Sequence, residues 1–242
     1  MPTWNWTYPL IVATALAAGL LVNHFTQQPL PLSRRQKLGL SLGAFCGSML
    51  AAKLPYLFLD WERFRSGAAW FDNGKTITVG LIGGYFGVEY AKHLMGIPYK
   101  TGDGFAVPVA VSLGIGRLAC FSAGCCFGTP TELPWGMRFH DELLRHPTQL
   151  YEVLFHLTLA VGMWQMRSQQ MLVGNLIKFY LVSYYAYRFL TEFLRPEPIV
   201  LFGLTFYQLV SLFGILLFGT LWYRDHKQIA ALLAHEKLAA QD

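Results

Sequence analysis

Charge is what this sequence has least of. Asp, Glu, Lys and Arg make up 14% of its 242 residues, against about 25% in a soluble domain. That shortfall argues against an ordinary water-facing fold. The 54% hydrophobic content and the positive mean hydropathy point to an integral membrane protein. No basic run is long enough to track a nucleic-acid backbone, so nucleic acid is not an expected partner. The net charge of +5 is read as a topology signal and an attraction to lipid headgroups. No internal repeat, low-complexity tract or soluble domain interrupts the chain. Cysteine is scarce as well: there are four, with no CxxC pair among them. Neither a metal nor a cofactor is expected.

What the chain has instead is apolar stretches of roughly 20 residues, the length of a helical bilayer crossing. Seven are predicted, over 8–25, 38–58, 77–95, 104–127, 148–167, 172–194 and 201–223. The first lacks a basic leader and a clear cleavage site, so a retained helix is expected there, not a signal peptide. The fold class predicted is an all-α integral membrane protein with seven transmembrane helices. Residues 1–242 form one domain, with a short cytoplasmic tail from about 224. Segments 59–76 and 128–147, rich in Trp, Phe, Gly and Pro, form a small outer-face cap. The 15% aromatic content suits interfacial belts. Arg34, Arg35, Lys37, Lys92, Lys100, Arg167, Arg224, Lys227 and Lys237 lie on one side of this topology. Arg63, Arg65, Lys75, Arg138, Arg145 and Arg195 lie on the other. The positive-inside rule then puts the N-terminus outside and the C-terminus in the cytoplasm.

Charges inside the spans are expensive, at about 2.5–3.5 kcal/mol on insertion scales, and need a reason. Arg117 falls in the fourth span and Arg188 in the sixth, both toward the outer half of the bilayer in this topology. Tyr184, Arg188, Glu192 and Arg195 follow at spacings of four, four and three, which is one helix face. Two readings stand: an Arg188–Glu192 ion pair snorkelling at the helix end, or an arginine fork for a lipid phosphate with Tyr184 beside it. In RHPTQLYE, Pro147 suits a first helical position and puts His146 at the cap. Gln149, Glu152 and His156 continue on one face. His146 and Gln149 either satisfy the free N–H groups of a helix start or belong to a site. The stripe Gly80, Gly83, Gly84 and Gly87 is read as close helix packing or as a groove for lipid tails.

Three of the four cysteines crowd into GRLACFSAGCCFG, at 120, 125 and 126. They are read as small buried hydrophobes, as a disulfide at the exit of the fourth span, as a soft-metal site, or as a catalytic or acceptor thiol whose pKa Arg117 lowers. The helix is expected to break near Gly124, with Gly116 also bending it, and at least one thiol is expected within reach of Arg117. Cys46, alone in the second span, is read as packing.

Taken together these motifs resemble the prolipoprotein diacylglyceryl transferase family. The matching residues are Tyr8, the GLIGG stripe, Asp103, GR-x-x-x-F at 116–121, Gly128, HPTQLYE at 146–152, Tyr184-x-x-x-Arg188 and EFLRPE at 192–197. The resemblance implies an inner-membrane bacterial enzyme that takes the diacylglyceryl unit of phosphatidylglycerol and attaches it to a lipobox cysteine of a prolipoprotein. It implies that Arg117 and Arg188 hold the phosphate and stabilise the leaving group. His146, Glu152 and Cys120 complete the catalytic set expected here. Tyr8, Gly80, Gly83, Asp103, Gln149, Tyr151, Tyr184 and Cys125 are the expected substrate-binding residues. The implied partners are a phosphatidylglycerol-like phospholipid and a prolipoprotein signal peptide.

The sequence also departs from the pattern. Thr78 stands where the family has a histidine before GLIGG. Cys120, Ala123 and Cys125 stand where it has two asparagines and a glutamate. A lipid transferase with a different acceptor or donor headgroup, and a lipid-binding protein without turnover, are the alternatives these departures raise.

Overall fold

The computed structural model describes residues 6–26, 31–67, 70 and 76–239. Among them are seven helices of sixteen residues or more: α1 (Thr7–Thr26), α2 (Arg34–Lys53), α3 (Ile77–Leu94), α4 (Asp103–Ser122), α5 (Thr148–Ser168), α6 (Leu176–Thr191) and α7 (Phe206–Ala239). Three of them, α1, α4 and the Phe206–Lys227 part of α7, are long and apolar enough to cross a membrane.

Local chemistry sets the boundaries, and it moves several from where hydropathy places them. Helix α2 begins at Arg34 rather than 38, because Ser33 and Gln36 form a reciprocal capping box. It stops at Lys53, and two short helices follow, Tyr56–Leu59 and Trp61–Arg65. Helix α4 stops at Ser122 rather than 127. Gly124 takes a left-handed φ of 61°, its N–H donates to the Phe121 carbonyl, and the Cys125 N–H donates to the Cys120 carbonyl. These are the paired bonds of a Schellman stop, for which glycine carries no steric penalty. The expected break near Gly124 is therefore present, whereas Gly116 lies inside an uninterrupted helix. Helix α7 starts at Phe206 rather than 201: the Thr205 hydroxyl accepts from the Gln208 N–H and the Gln208 side chain accepts from the Thr205 N–H. It runs on as helix through the expected cytoplasmic tail to Ala239.

Not every ordered element is helical. Met137–Arg138 (β1) pairs antiparallel with Leu144–Arg145 (β2), and Ile199–Leu201 (β3) with Leu204–Thr205 (β4). The first hairpin lies within the expected 128–147 cap. Residues 68, 69 and 71–75 of the other cap segment lie outside the described residues.

The chain packs as two compact units, Met1–Gln28 with Thr101–Asp242, and Pro29–Lys100. In the smaller unit α2 packs on α3 through glycines. A Cβ on Gly47 would stand 2.3 Å from the Gly83 carbonyl oxygen, and one on Gly87 would stand 2.1 Å from that of Gly43. No side chain fits at that separation, so the two backbones touch. In the larger unit α4 packs against α1 and α5, and α6 against α7. Tyr180, Tyr184, Tyr185 and Phe218 are fully buried there, with the Tyr185 and Phe218 rings stacked at 5.9 Å.

Candidate active site

Helices α4, α5 and α6, with the short turn after α6, bring together charges that the sequence spreads from Arg117 to Arg195. On α5 the four- and three-residue spacing turns Gln149, Glu152 and His156 to one face, and all three are buried. On α6 the same spacing buries Tyr184 and Arg188, and the short helix that follows buries Glu192. Arg117 enters from the last turns of α4.

Glu152 is the centre. One carboxylate oxygen accepts from Arg117 Nη2 at 2.6 Å and from the Tyr184 hydroxyl at 3.0 Å; the other accepts from Arg195 Nη2 at 3.3 Å. His156 Nε2 lies 3.7 Å from the first oxygen, and its Nδ1 is 3.1 Å from the Tyr180 hydroxyl. Beside this network Arg188 Nη2 pairs with Glu192 at 2.7 Å. Glu192 also accepts from the Thr205 hydroxyl. The Arg188 guanidinium lies over the Tyr207 ring, 5.1 Å from its centre. So the helix-end ion pair expected for Arg188 is present, and it is buried rather than snorkelling: Arg188 is 4% exposed and Glu192 1%.

These groups form a buried cluster of three arginines and two glutamates, one positive charge in surplus. Its polar atoms are not all used. Arg117 Nε, Arg188 Nη1 and Arg195 Nε are buried with no hydrogen-bond partner among the described residues. A buried donor left unmade costs roughly 1–3 kcal/mol, more when charged, so such groups need an explanation.

Backbone bonds tie the motifs around this cluster. The Gly128 N–H donates to the His146 carbonyl at 2.8 Å, and the Thr129 N–H to the Leu194 carbonyl at 2.8 Å. Gly128 has no room for a side chain, since a Cβ would lie 2.6 Å from the Leu194 oxygen and 2.7 Å from the His146 Cβ. Thr148 and Gln149 donate to the carbonyls of Cys126 and Cys125 at 2.7 and 2.5 Å. The start of α5 thus binds the cysteine turn.

The other expected residues divide by position. Cys120 Sγ is 3.9 Å from Arg117 Nη1. Tyr8 is an electrostatic neighbour of Arg117 and of Cys120, Cys125 and Cys126. His146 is not at the helix cap, which is Pro147. Its imidazole instead meets the Tyr151 hydroxyl at 3.2 Å, and that hydroxyl accepts from Trp135 Nε1 at 2.8 Å. Asp103 stands apart. It is fourteen residues before Arg117 on α4, about 21 Å along the axis. Its carboxylate is taken up by the N–H groups of Gly174 and Leu176, so it caps the start of α6. Gly80 and Gly83 belong to the smaller unit, where a Cβ on Gly83 would lie 2.2 Å from Ala51 and one on Gly80 3.4 Å from Ala52; α2 fills that stretch of the stripe. Arg195, Glu192 and His156 join the cluster although they were not singled out as site residues. The ladder from Tyr184 to Arg195 carried the signal for the first two.

A family model described as prolipoprotein diacylglyceryl transferase matches residues 5–224. The chain belongs to that family. Proteins named phosphatidylglycerol–prolipoprotein diacylglyceryl transferase are similar to it along most of its length. The one from Clostridium tetani is 28% identical over 202 residues, 79% of this chain and 81% of that protein. The one from Clostridioides difficile is 26% identical over 86% of each chain. The one from Bordetella parapertussis is 34% identical over 69% of this chain and 64% of its own length. The buried arginines, the HPTQLYE helix start and Gly128 of this diacylglyceryl transferase family member all lie inside the matched region.

Proposed function

We propose that the chain moves the diacylglyceryl unit of phosphatidylglycerol onto a thiol, the lipobox cysteine of a prolipoprotein. The observation that carries this reading is the surplus positive charge with its three unused guanidinium N–H groups. A phosphodiester brings one negative charge and several acceptor oxygens. It would neutralise the surplus and satisfy donors that burial otherwise leaves unmet.

The chemistry follows from that charge balance. A thiol sulfur attacks the glyceryl carbon, the carbon–oxygen bond breaks, and its electron pair leaves on glycerol phosphate. Charge on the phosphate grows as the bond breaks, and preformed cationic donors in a dry site stabilise that transition state most. Glu152, accepting from Arg117, Tyr184 and Arg195, is fully engaged; it positions the arginines and is poorly placed to take a proton. We also propose seven membrane crossings in one domain, the N-terminus on the outer side of a bacterial inner membrane, and lateral entry of the lipid from the outer leaflet.

The test is direct. Purified protein is incubated with phosphatidylglycerol radiolabelled in its acyl chains and a lipobox peptide. Label on the peptide is the expected result, and its absence when the peptide carries Ser for Cys is the control. Label that never leaves phospholipid in an intact preparation would falsify the transferase reading.

A further inference from the structure

The three cysteines of the α4 exit remain unexplained by the arginine cluster. Their sulfurs lie within 4.8 Å of one another. The fold achieves this deliberately: the Schellman stop reverses the chain after Ser122, and Cys126 itself takes a left-handed φ of 64°, unusual for a residue with a side chain. Thr148 and Gln149 then hold the Cys126 and Cys125 carbonyls from α5. All three thiols are free of disulfides; Cys125 and Cys126 are exposed and Cys120 is half-buried. The cluster is therefore open on one side. On the other it meets Arg117, 3.9 Å from the Cys120 sulfur.

We propose that Cys120, Cys125 and Cys126 form a three-thiolate zinc site with a fourth position open to the acceptor thiol. Zinc takes four tetrahedral ligands with Zn–S near 2.3 Å, which asks for sulfurs about 3.8 Å apart, and catalytic zinc keeps one position for water or substrate. The observed spread needs only about 1 Å of closure by side-chain rotation. Three thiolates and one zinc ion carry a net charge of −1, which the adjacent Arg117 guanidinium stabilises. From the sequence a soft-metal site is only one of four readings, because the set holds no CxxC and no histidine; the turn at Gly124 supplies what the spacing lacks.

The role rests on the thiol-transfer reading above. A thiol attacks carbon as its thiolate, so a proton has to leave the acceptor. Beside Arg117, Glu152 is occupied by three donors. At the open zinc position the acceptor thiol is deprotonated outright on coordination, its proton going to solvent. The sulfur lone pair then forms the carbon–sulfur bond as the carbon–oxygen bond breaks, and the bonding pair departs on glycerol phosphate, toward the arginines. The product is a thioether, a weak neutral ligand that leaves the metal. Nothing is oxidised or reduced.

The experiment uses the full chain in detergent, kept reduced, stripped with a chelator and titrated with zinc, then with cobalt(II) as a spectroscopic probe. We expect one metal per chain by elemental analysis. The cobalt form is expected to show thiolate charge-transfer absorption and the visible bands of a four-coordinate ion. Those bands should shift on adding the lipobox peptide but not its Ser counterpart. Cys120→Ser, Cys125→Ser and Cys126→Ser should each lose the metal, and Cys46→Ser should keep it. Reduced protein that binds no metal, or a disulfide among the three thiols in cells alkylated before breakage, overturns the site. Bands indifferent to the peptide thiol, or undiminished lipid transfer by metal-free protein, overturn the activating role while leaving the transferase reading intact. Bound metal with shifting bands but no lipid transfer overturns the transferase reading and leaves the site standing.

Discussion

Arg188 shows how a single residue is held for its task. Its guanidinium is divided between Glu192 at 2.7 Å and the face of Tyr207, and one terminal nitrogen remains unmet. A planar fork can keep both neighbours and still present a donor to phosphate; the compact ammonium of lysine cannot. Arg188→Lys is therefore expected to lower lipid transfer nearly as far as Arg188→Ala, by about 100-fold or more on the scale of a lost transition-state donor. Initial rates of label transfer measure this. Full activity in the lysine variant would show that a point charge suffices.

At the scale of elements, two local devices hold their neighbours in place. In the smaller unit α2 and α3 approach through Gly43, Gly47, Gly83 and Gly87. A side chain at Gly47 meets backbone, not a movable side chain, so Gly47→Val is expected to destabilise this helix pair by about 1–3 kcal/mol. A lower melting temperature in detergent and faster proteolysis between 29 and 100 are the readouts; unchanged melting contradicts the packing. In the cap, Arg145 bridges Asp141 at 2.6 Å, donates to the Gly128 carbonyl and lies over the Phe127 ring. Its hydrogen bond holds the Asp141 carboxyl below the ordinary carboxylate range. A carboxyl with a depressed folded pKa adds stability above its unfolded pKa, and that stability is lost as pH falls through the folded one. Amide protection across 128–147, taken as the intrinsic exchange rate divided by the observed rate at the same pH, is therefore expected to fall on acidification below about pH 4. Asp141→Asn should show the lower protection already at neutral pH. Protection independent of pH in the parent chain would remove Arg145–Asp141 from the account.

The whole molecule poses the question of sidedness. Nine basic residues against six are the basis for proposing an outside N-terminus, a topology that would put the cysteine turn and the arginine cluster toward the outer leaflet. In a chain whose native cysteines are replaced by Ser, an impermeant maleimide added to spheroplasts is expected to label Ser66→Cys and to spare Ser33→Cys. The reverse pattern inverts the topology and with it the leaflet from which lipid enters.

Composition and apolar run length were enough to predict a helical membrane protein, because burial in lipid filters sequence through one strong variable, hydropathy. The helix-face spacing of Gln149, Glu152 and His156, and of Tyr184, Arg188 and Glu192, was equally legible, since it depends only on the helical repeat. The turn at Gly124 was legible for the same local reason. Which residues of different helices meet was not. That Glu152 gathers Arg117, Tyr184 and Arg195, that Asp103 caps α6 some 21 Å away along α4, and that Cys120, Cys125 and Cys126 bring their sulfurs within 4.8 Å depend on how α4, α5 and α6 cross. A linear pattern states which face of a helix a side chain occupies; only the packing of helices decides what that face touches, and so which buried charges are paired and which are left for a ligand.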